Sequence, residues 1–296
     1  MHIVIGGASG FLGEPLTSFL RGRGHDVTTL IRSGTPDNRS SLWDPASGNL
    51  DQVLIDSADA VINLSGAPVA HWPWTAAYRH KILVSRTSAT ATLARAIAAS
   101  PKPPALVSAS GMSAYGSDRG SEVLTEKSSL GKGFLTDVVH QWEAAASPAA
   151  DAGARVCFIR TSLVLDKHGG TLKTMLPIFR LGLGGKLSTG KQYFSVISLN
   201  DWVRAAAFLV ETETASGPFN FANPNPSTNA EFTTQLSSAL RRPAVMRVPG
   251  FAIKTALGRL SDELLGSLRV VPEHLQAEGF VFEEPDLEST IAAGLR

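Results

Sequence analysis

The chain has 296 residues, of which 43% are hydrophobic and 18% charged, and its formal net charge is +1. This length and composition predict one large core, or a main domain with a smaller appendage, and the near-neutral charge offers no electrostatic argument for binding nucleic acid or an anionic membrane. The single cysteine, Cys157, excludes a disulfide within the chain and favours a reducing compartment. Without a recognisable signal sequence or a run of about 18 apolar residues, the chain is predicted to be cytoplasmic.

The first thirteen residues predict a phosphate-binding turn. A short apolar strand leads into glycines spaced G-x-x-G-x-x-G, and apolar residues at helical spacing follow over 12–22. Gly7 permits the turn, Gly10 leaves room for a pyrophosphate, and Gly13 allows the helix to pack closely on the strand. A dinucleotide is expected at the helix N-terminus, although an ordinary glycine-rich turn is the alternative. The residues expected to contact it here are Gly7, Gly10, Phe11, Leu12 and Gly13.

The next strand is predicted over 26–31 and indicates which cofactor binds. A fold that binds NAD usually places an acidic residue after this strand to accept from the ribose 2′-hydroxyl, whereas NADP needs a cation for the 2′-phosphate. Arg32 and Ser33 occupy this position. An arginine can bind a phosphate through two parallel hydrogen bonds, so NADP(H) is favoured; the alternative is a solvated surface arginine.

Strands and helices continue to alternate along the chain. Strands are predicted over 59–67 and 105–110, and long helices over 74–99 and 134–150. Because the turns after parallel strands line the cofactor crevice, Leu64, Gly66 and Ala67 are expected to contact the cofactor.

The alternation predicts an α/β fold with a doubly wound, mostly parallel Rossmann sheet and a smaller C-terminal α/β lobe. An NADP-binding domain is expected over 1–160, with later strands returning to it, and a substrate lobe over 161–296 that includes a C-terminal segment from about 245.

Several features are expected within the second half. A helix over 172–181 should precede a mobile glycine-rich loop over 182–190, and Asn200-Asp201 should cap a helix that begins at Trp202. The sequence 228–231 is typical of a helix cap. Phe280 and Phe282 are predicted to anchor the tail in the core.

Several of these motifs together resemble the extended short-chain dehydrogenases/reductases of the nucleotide-sugar epimerase type. Within that superfamily the chain is more similar to the YfcH-like epimerase family, also called family 39U, an atypical group. The tail resembles the small C-terminal domain of unknown function that this family carries. The segments on which the resemblance depends are 7–13, 63–67, 110–116, 74–86, 160–170, 184–192, 195–201, 219–224, 269–275, 279–282 and 285–287.

The resemblance implies the cofactor site but not the usual chemistry. Extended members use a Tyr and a Lys four residues apart to move a proton while hydride is transferred. Alignment on Trp142-Glu143 places Leu135 and Val139 at those positions, and neither can transfer a proton.

Other residues are therefore candidates for the site. Ser110 corresponds to the family serine and is a candidate catalytic residue, with Ser113 as the alternative, and it is also expected at the cofactor. Tyr115 is a candidate catalytic and substrate residue; the alternative is a residue that shapes the pocket wall. The remaining candidates are Arg86 for the cofactor or an anionic substrate, and Arg160 and Gln192 for the substrate; each arginine could also be an ordinary ion-pair partner.

Two hypotheses for the function remain. The first is an NADP(H)-dependent oxidoreductase or epimerase that acts on an unknown small molecule. The second is a non-catalytic NADPH-binding regulator or sensor. The resemblance suits this hypothesis, because relatives in the family have been associated with cell or plastid division. No metal site is predicted, since the histidines are scattered and no carboxylates have ligand spacing. The expected partner is a small-molecule substrate, without nucleic acid or membrane.

Overall fold

The computed structural model describes the backbone of all 296 residues and every side chain except those of residues 256, 257 and 259. In chain order the strands are β1 (His2–Gly6), β2 (Asp26–Ile31), β3 (Ser40–Leu42), β4 (Ala60–Asn63), β5 (Ala105–Gly111), β6 (Val123–Leu124), β7 (Val156–Thr161), β8 (Leu163–Asp166), β9 (Gly185–Leu187), β10 (Val196–Ser198), β11 (Gly217–Phe221), β12 (Met246–Val248) and β13 (Arg269–Val270). The α-helices are α1 (Gly13–Gly22), α2 (Gln52–Asp56), α3 (Ala76–Ala99), α4 (Phe134–Ala144), α5 (Ser147–Asp151), α6 (Gly170–Arg180), α7 (Leu199–Glu211), α8 (Asn229–Leu240), α9 (Gly250–Leu257), α10 (Ser261–Leu265), α11 (Glu273–Ala277) and α12 (Leu287–Leu295). Short 3₁₀ helices span Met112–Tyr115 and Gly258–Leu260.

Seven parallel strands form the central sheet in the order β11-β7-β5-β4-β1-β2-β3. Helices cover both faces, which explains why the central strands β1 and β4 are nearly continuous buried apolar runs. Alternate residues of β1 point to opposite faces: Ile3 packs in a cluster with Leu16 and Trp202, whereas Val4 packs in another with Leu93. The predicted doubly wound α/β fold is confirmed.

The second half of the chain contributes to this sheet and also forms a lobe. Strand β11 pairs with β7, so residue 220 lies beside residue 160 at the edge of the central sheet. Helices α6, α8 and α12 enclose a separate cluster that includes Leu172, Phe232 and Ile291. The small parallel pairs β8–β10 and β9–β12 complete the lobe.

Two predictions of helix boundaries are wrong. The single helix expected over 134–150 is two helices, α4 and α5, because Pro148 near the start of α5 has no N–H to continue the hydrogen bonding of α4. The helix expected to begin at Trp202 begins at Leu199. Its cap is Ser198, whose Oγ accepts a hydrogen bond from the Asp201 N–H, so Asp201 lies inside the first turn.

Two other predictions about the second half are confirmed, whereas the loop predicted over 182–190 contains strand β9 (Gly185–Leu187). Thr228 and Glu231 form a reciprocal capping box at the start of α8. Phe280 is buried in the main core, and Phe282 packs against it. Across the described residues, no helix combines the length and apolar character needed to cross a bilayer.

Candidate functional site

The glycines of the first turn have three different structural roles. Gly7 has a positive φ of 84°, and a Cβ there would lie 2.7 Å from the Leu64 carbonyl carbon. A Cβ on Gly13 would lie 2.2 Å from the Gly7 oxygen, so the start of α1 packs directly on the turn. A Cβ on Gly10 would meet only the Gly7 oxygen, at 3.3 Å, and otherwise open space. The structure thus requires glycine for packing at two positions, and at the third it leaves the gap that a phosphate needs.

The N-terminus of α1 is available to bind an anion. No side chain caps this helix, and the backbone N–H groups of Phe11 and Leu12 donate to no group among the described residues. Free N–H groups and the positive end of the helix dipole are the features that bind pyrophosphate. The turn therefore fits a dinucleotide phosphate. The Phe11 ring itself points elsewhere and packs on Gly169, where a Cβ would lie 2.1 Å from it.

Arg32 and Ser33 follow β2 at the same edge of the sheet. Both are exposed, and β2 lies beside β1, whose carboxyl end carries the phosphate turn. In the described part of the chain, no carboxylate lies within ion-pair distance of Arg32. Its guanidinium is thus free to pair with an external anion, which fits the 2′-phosphate of NADP(H).

The turn after β4 closes the other side of the crevice. The Leu64 N–H donates to the Gly6 carbonyl at 2.8 Å, which holds this turn against the phosphate turn. A Cβ on Gly66 would lie 3.1 Å from Arg86 Cζ, so the glycine lets this arginine lie across the turn. Arg86 Nη1 donates to the Ala67 carbonyl at 3.0 Å. The predicted residues of this turn are thus brought together at one edge of the sheet.

Arg86 is a half-buried cation without a carboxylate partner among the described residues. Its guanidinium lies 5.0 Å from the centre of the Trp142 ring, and Nη1 also donates to the Ile82 carbonyl at 3.1 Å. Burial lowers the pKa of Arg86 to about 10, which leaves it charged at neutral pH. An unneutralised positive charge therefore faces the crevice beside the turn after β4, where it fits an anionic cofactor or substrate group.

A buried polar network lies at the ends of β5 and β7. The Glu143 carboxylate accepts hydrogen bonds from Ser110 Oγ at 2.6 Å, Arg160 Nε at 3.0 Å and Arg160 Nη2 at 2.9 Å. Arg160 Nη1 donates to the Tyr115 hydroxyl at 3.1 Å, and that hydroxyl donates to Asn220 Oδ1 at 2.7 Å. Each side chain of this network therefore has a hydrogen-bond partner within it, as buried polar groups require.

This network changes the interpretation of two predicted substrate residues. Tyr115 is fully buried and its hydroxyl bonds to internal partners, and burial raises its pKa. Burial alone would lower the pKa of Arg160, but its bonds to Glu143 outweigh this effect and raise it. Both side chains bond to internal partners in this structure, and their contact with a substrate stays a prediction. A buried arginine in a central strand needs an internal partner, and Glu143 fills that role.

Gln192 lies away from this network. It is buried, and its Nε2 donates to the Leu187 carbonyl at 3.1 Å, so it fixes the end of the glycine-rich segment. The structure therefore brings Ser110, Tyr115 and Arg160 together but places Gln192 in the lobe. Its predicted contact with substrate has no support in this geometry.

The positions expected for a proton-transferring Tyr and Lys are apolar and buried. Leu135 packs in a cluster with Ile82 and Trp74, and Val139 faces the end of β5 near Gly111. Neighbouring Thr136 donates through Oγ1 to the Ser113 carbonyl at 2.8 Å. No described side chain replaces the missing pair at those two positions.

Sequence reasoning missed three polar partners at this edge. In the sequence Glu143 serves only as an alignment marker and Asn220 only as part of the family segment 219–224, and Glu263 is not among the candidates. Glu263 of α10 accepts from Ser113 Oγ at 3.2 Å, and burial raises the pKa of Glu263. Of the three, only Glu143 could be anticipated from the sequence. An arginine in an apolar strand predicts a nearby carboxylate, but it does not show which residue provides it.

In the described part of the chain, no group of His, Cys, Asp or Glu is arranged to hold a metal ion.

Comparison with known proteins defines the family. The NAD-dependent epimerase/dehydratase family matches residues 3–222, and a domain of unknown function, DUF1731, matches residues 248–293. The chain therefore belongs to the NAD-dependent epimerase/dehydratase family, with the C-terminal domain of an atypical short-chain dehydrogenase/reductase group.

Relatives resemble the chain over nearly its whole length. An epimerase family protein of Mycobacterium bovis is 39% identical over 281 residues, covering 95% of this chain and 93% of the relative. Epimerase family protein SDR39U1 of Bos taurus is 36% identical and covers 98% of both chains. A crystal structure of the human SDR39U1 protein with NADPH has a TM-score of 0.91 at 32% identity, covering 99% of both chains. The predicted resemblance to family 39U is confirmed.

Proposed function

We propose that this protein binds NADP(H) and acts as an oxidoreductase or epimerase-like enzyme on a small molecule. The observation that carries the proposal is the cradle formed by the open Gly10 position, the free N–H groups of Phe11 and Leu12, and the exposed pair Arg32 and Ser33. The NADPH in the crystal structure of the human relative supports it.

Each part of the cradle has a distinct role towards the cofactor. The N-terminus of α1 would hold the pyrophosphate, and Arg32 with Ser33 would hold the 2′-phosphate. The turn of Leu64, Gly66 and Ala67 would form the opposite wall. When bound, NADP(H) supplies a hydride donor or acceptor.

The chain's own contribution to catalysis differs from that of the usual family members. The Ser110 hydroxyl donates a hydrogen bond to Glu143, so its oxygen keeps a lone pair that can accept a hydrogen bond from the crevice. Arg86 provides a positive charge for an anionic group, without an internal carboxylate to neutralise it. These residues can position a substrate, but neither one is an obvious proton donor at neutral pH.

The apolar side chains of Leu135 and Val139 favour a second function, that of a non-catalytic NADPH-binding regulator. The two functions share the cofactor site and differ in turnover. An NADPH oxidation assay across a panel of carbonyl compounds separates them: turnover supports the enzyme, and its absence with every compound, while NADPH still binds, supports the regulator.

The cofactor proposal is tested by replacing Arg32. In calorimetric titrations, Arg32→Asp should weaken NADPH binding by about tenfold or more, equivalent to roughly 1.4 kcal/mol, because it replaces a cation at the 2′-phosphate by a carboxylate. NADH binding should not weaken in parallel. A matched control is Arg95→Asp, which changes an exposed arginine of α3 and should leave both affinities unchanged. Tighter binding of NADH than NADPH by the wild type would overturn the proposal.

A further inference from the structure

The nearly neutral net charge conceals a strong separation of charge along the chain. Ten of the 27 Lys and Arg residues, but none of the 26 Asp and Glu residues, fall within 167–200 and 232–261. The rest of the chain therefore carries 17 basic and 26 acidic residues. In these two segments of the lobe every charged residue is basic, whereas the rest of the chain has a net negative charge.

The fold brings these two segments together. Strand β12 pairs with β9, which places Arg247 beside Lys186. A Cβ on Gly182 would lie 3.4 Å from the Pro243 ring, so the loop after α6 contacts the loop after α8. We define the basic face as the surface around these contacts that carries Arg180, Lys186, Arg241, Arg242, Arg247 and Lys254.

The cations of the basic face lack carboxylate partners, although Arg247 Nε donates to the Ser188 carbonyl at 2.7 Å. All six are exposed, and among the described residues none of them lies within ion-pair distance of a carboxylate. Glu231 is the acidic residue of α8, and it accepts hydrogen bonds from Thr228 in the capping box. The positive charge of this face therefore remains available to an external anion.

Large apolar side chains project from the same surface. Of the fifteen exposed large hydrophobic side chains described, seven lie in the two basic segments. Leu181, Val245 and Phe251 are 74%, 85% and 75% exposed, so they stand out from the surface instead of lining a groove. Leu181 and Val245 lie in the two loops that contact each other. Exposed apolar clusters of this kind mark interaction sites.

We propose that the basic face docks on the surface of an anionic lipid bilayer. Cations interspersed with protruding apolar side chains match the headgroup region, where lysine and arginine meet phosphate while leucine, valine and phenylalanine enter the acyl boundary. This revises the expectation, drawn from net charge alone, that the chain has no affinity for a membrane surface. The proposal does not depend on the cofactor site.

Other occupants explain fewer of these features. A symmetric dimer through this face would place cations opposite cations. Nucleic acid would use the positive charge but would gain little from exposed aliphatic side chains, because single strands stack on aromatic ones. A peptide helix docks in a concave groove, whereas these side chains protrude.

Vesicle cosedimentation tests the proposal directly. The 296-residue protein should sediment with vesicles of phosphatidylglycerol and phosphatidylcholine, but not with phosphatidylcholine alone, and high salt should release it. Arg242→Gln/Lys254→Gln should weaken binding by about 25-fold, because each cation near the surface contributes about fivefold. Leu181→Ser/Val245→Ser should weaken binding without changing its dependence on salt. Arg95→Gln/Lys102→Gln removes two exposed cations outside the basic face and should bind like the wild type.

Thermal melts and NADPH titrations of each variant establish that the fold and the cofactor site are intact. A failure of the cofactor proposal is therefore distinguished from a failure of the membrane proposal. The proposal is overturned if anionic vesicles bind no protein, or if neutral vesicles bind equally well. It is also overturned if the control pair weakens binding as much as the pair in the basic face, or if DNA or an acidic protein binds this face and anionic vesicles do not.

Discussion

The coupling between Glu143 and Arg160 should make a large contribution to the stability of the site. The side chains are only 16% and 6% exposed, and two hydrogen bonds of 3.0 and 2.9 Å join them. Removing one partner of a buried pair typically costs about 3–5 kcal/mol, because the other charge stays buried without compensation. Because Glu143 is partly exposed, the loss of stability in Glu143→Gln should lie near the lower limit of this range, at about 3 kcal/mol.

A double-mutant cycle measures this contribution. For a chain of this length the unfolding entropy is roughly 0.6 kcal/mol per degree, so about 3 kcal/mol should lower the melting temperature by about 5 °C. Arg160→Met should cost a similar amount, since it leaves the Glu143 carboxylate buried with only Ser110 as a donor. The double variant should be at least about 2 kcal/mol more stable than the sum of the single losses predicts, because no charge is then left unpaired.

Urea unfolding followed by tryptophan fluorescence provides the four free energies. Additive losses within about 0.5 kcal/mol would refute the reasoning, because they would show that the two side chains do not depend on each other. Calorimetry should show that NADPH affinity is unchanged in the single variants, since the phosphate turn lies on β1 and α1.

Two further predictions concern the glycines and Tyr115. Gly10→Val should abolish NADPH binding in calorimetric titrations while the protein stays folded, whereas Gly13→Val should fail to fold, because its Cβ would lie 2.2 Å from the Gly7 oxygen. A folded Gly10→Val variant with undiminished NADPH affinity would contradict the assignment of the phosphate site. Tyr115→Phe should lower the free energy of unfolding by about 1–3 kcal/mol, because Asn220 Oδ1 loses its donor and Arg160 Nη1 its acceptor, while NADPH affinity stays the same. If the variant kept full stability but lost turnover on a substrate that the wild type reduces, Tyr115 would instead have a catalytic role.

Sequence alone determined the features that depend on neighbouring residues. The run from β1 through the phosphate turn into α1 follows from an apolar strand and three glycines with distinct steric needs, and the structure shows all three roles. The Thr228 and Glu231 capping box depends on residues three apart and was equally predictable. Apolar strands alternating with amphipathic helices predicted the parallel sheet, because only that arrangement buries both faces of such strands.

Tertiary structure decided which polar side chains meet. Tyr115 lies 105 residues from Asn220, and they share a hydrogen bond only because β11 returns to the central sheet. That return makes Tyr115 an internal partner of Arg160, which its position in the sequence does not indicate. The basic face also forms only in the folded chain. The pairing of β9 with β12 joins two basic segments that an acidic segment separates in the sequence. The net charge does not reveal this face, because it sums over the whole chain. Local patterns fix backbone geometry because short-range hydrogen bonds and steric limits act within a few residues, whereas charges find their partners only when distant strands pack together.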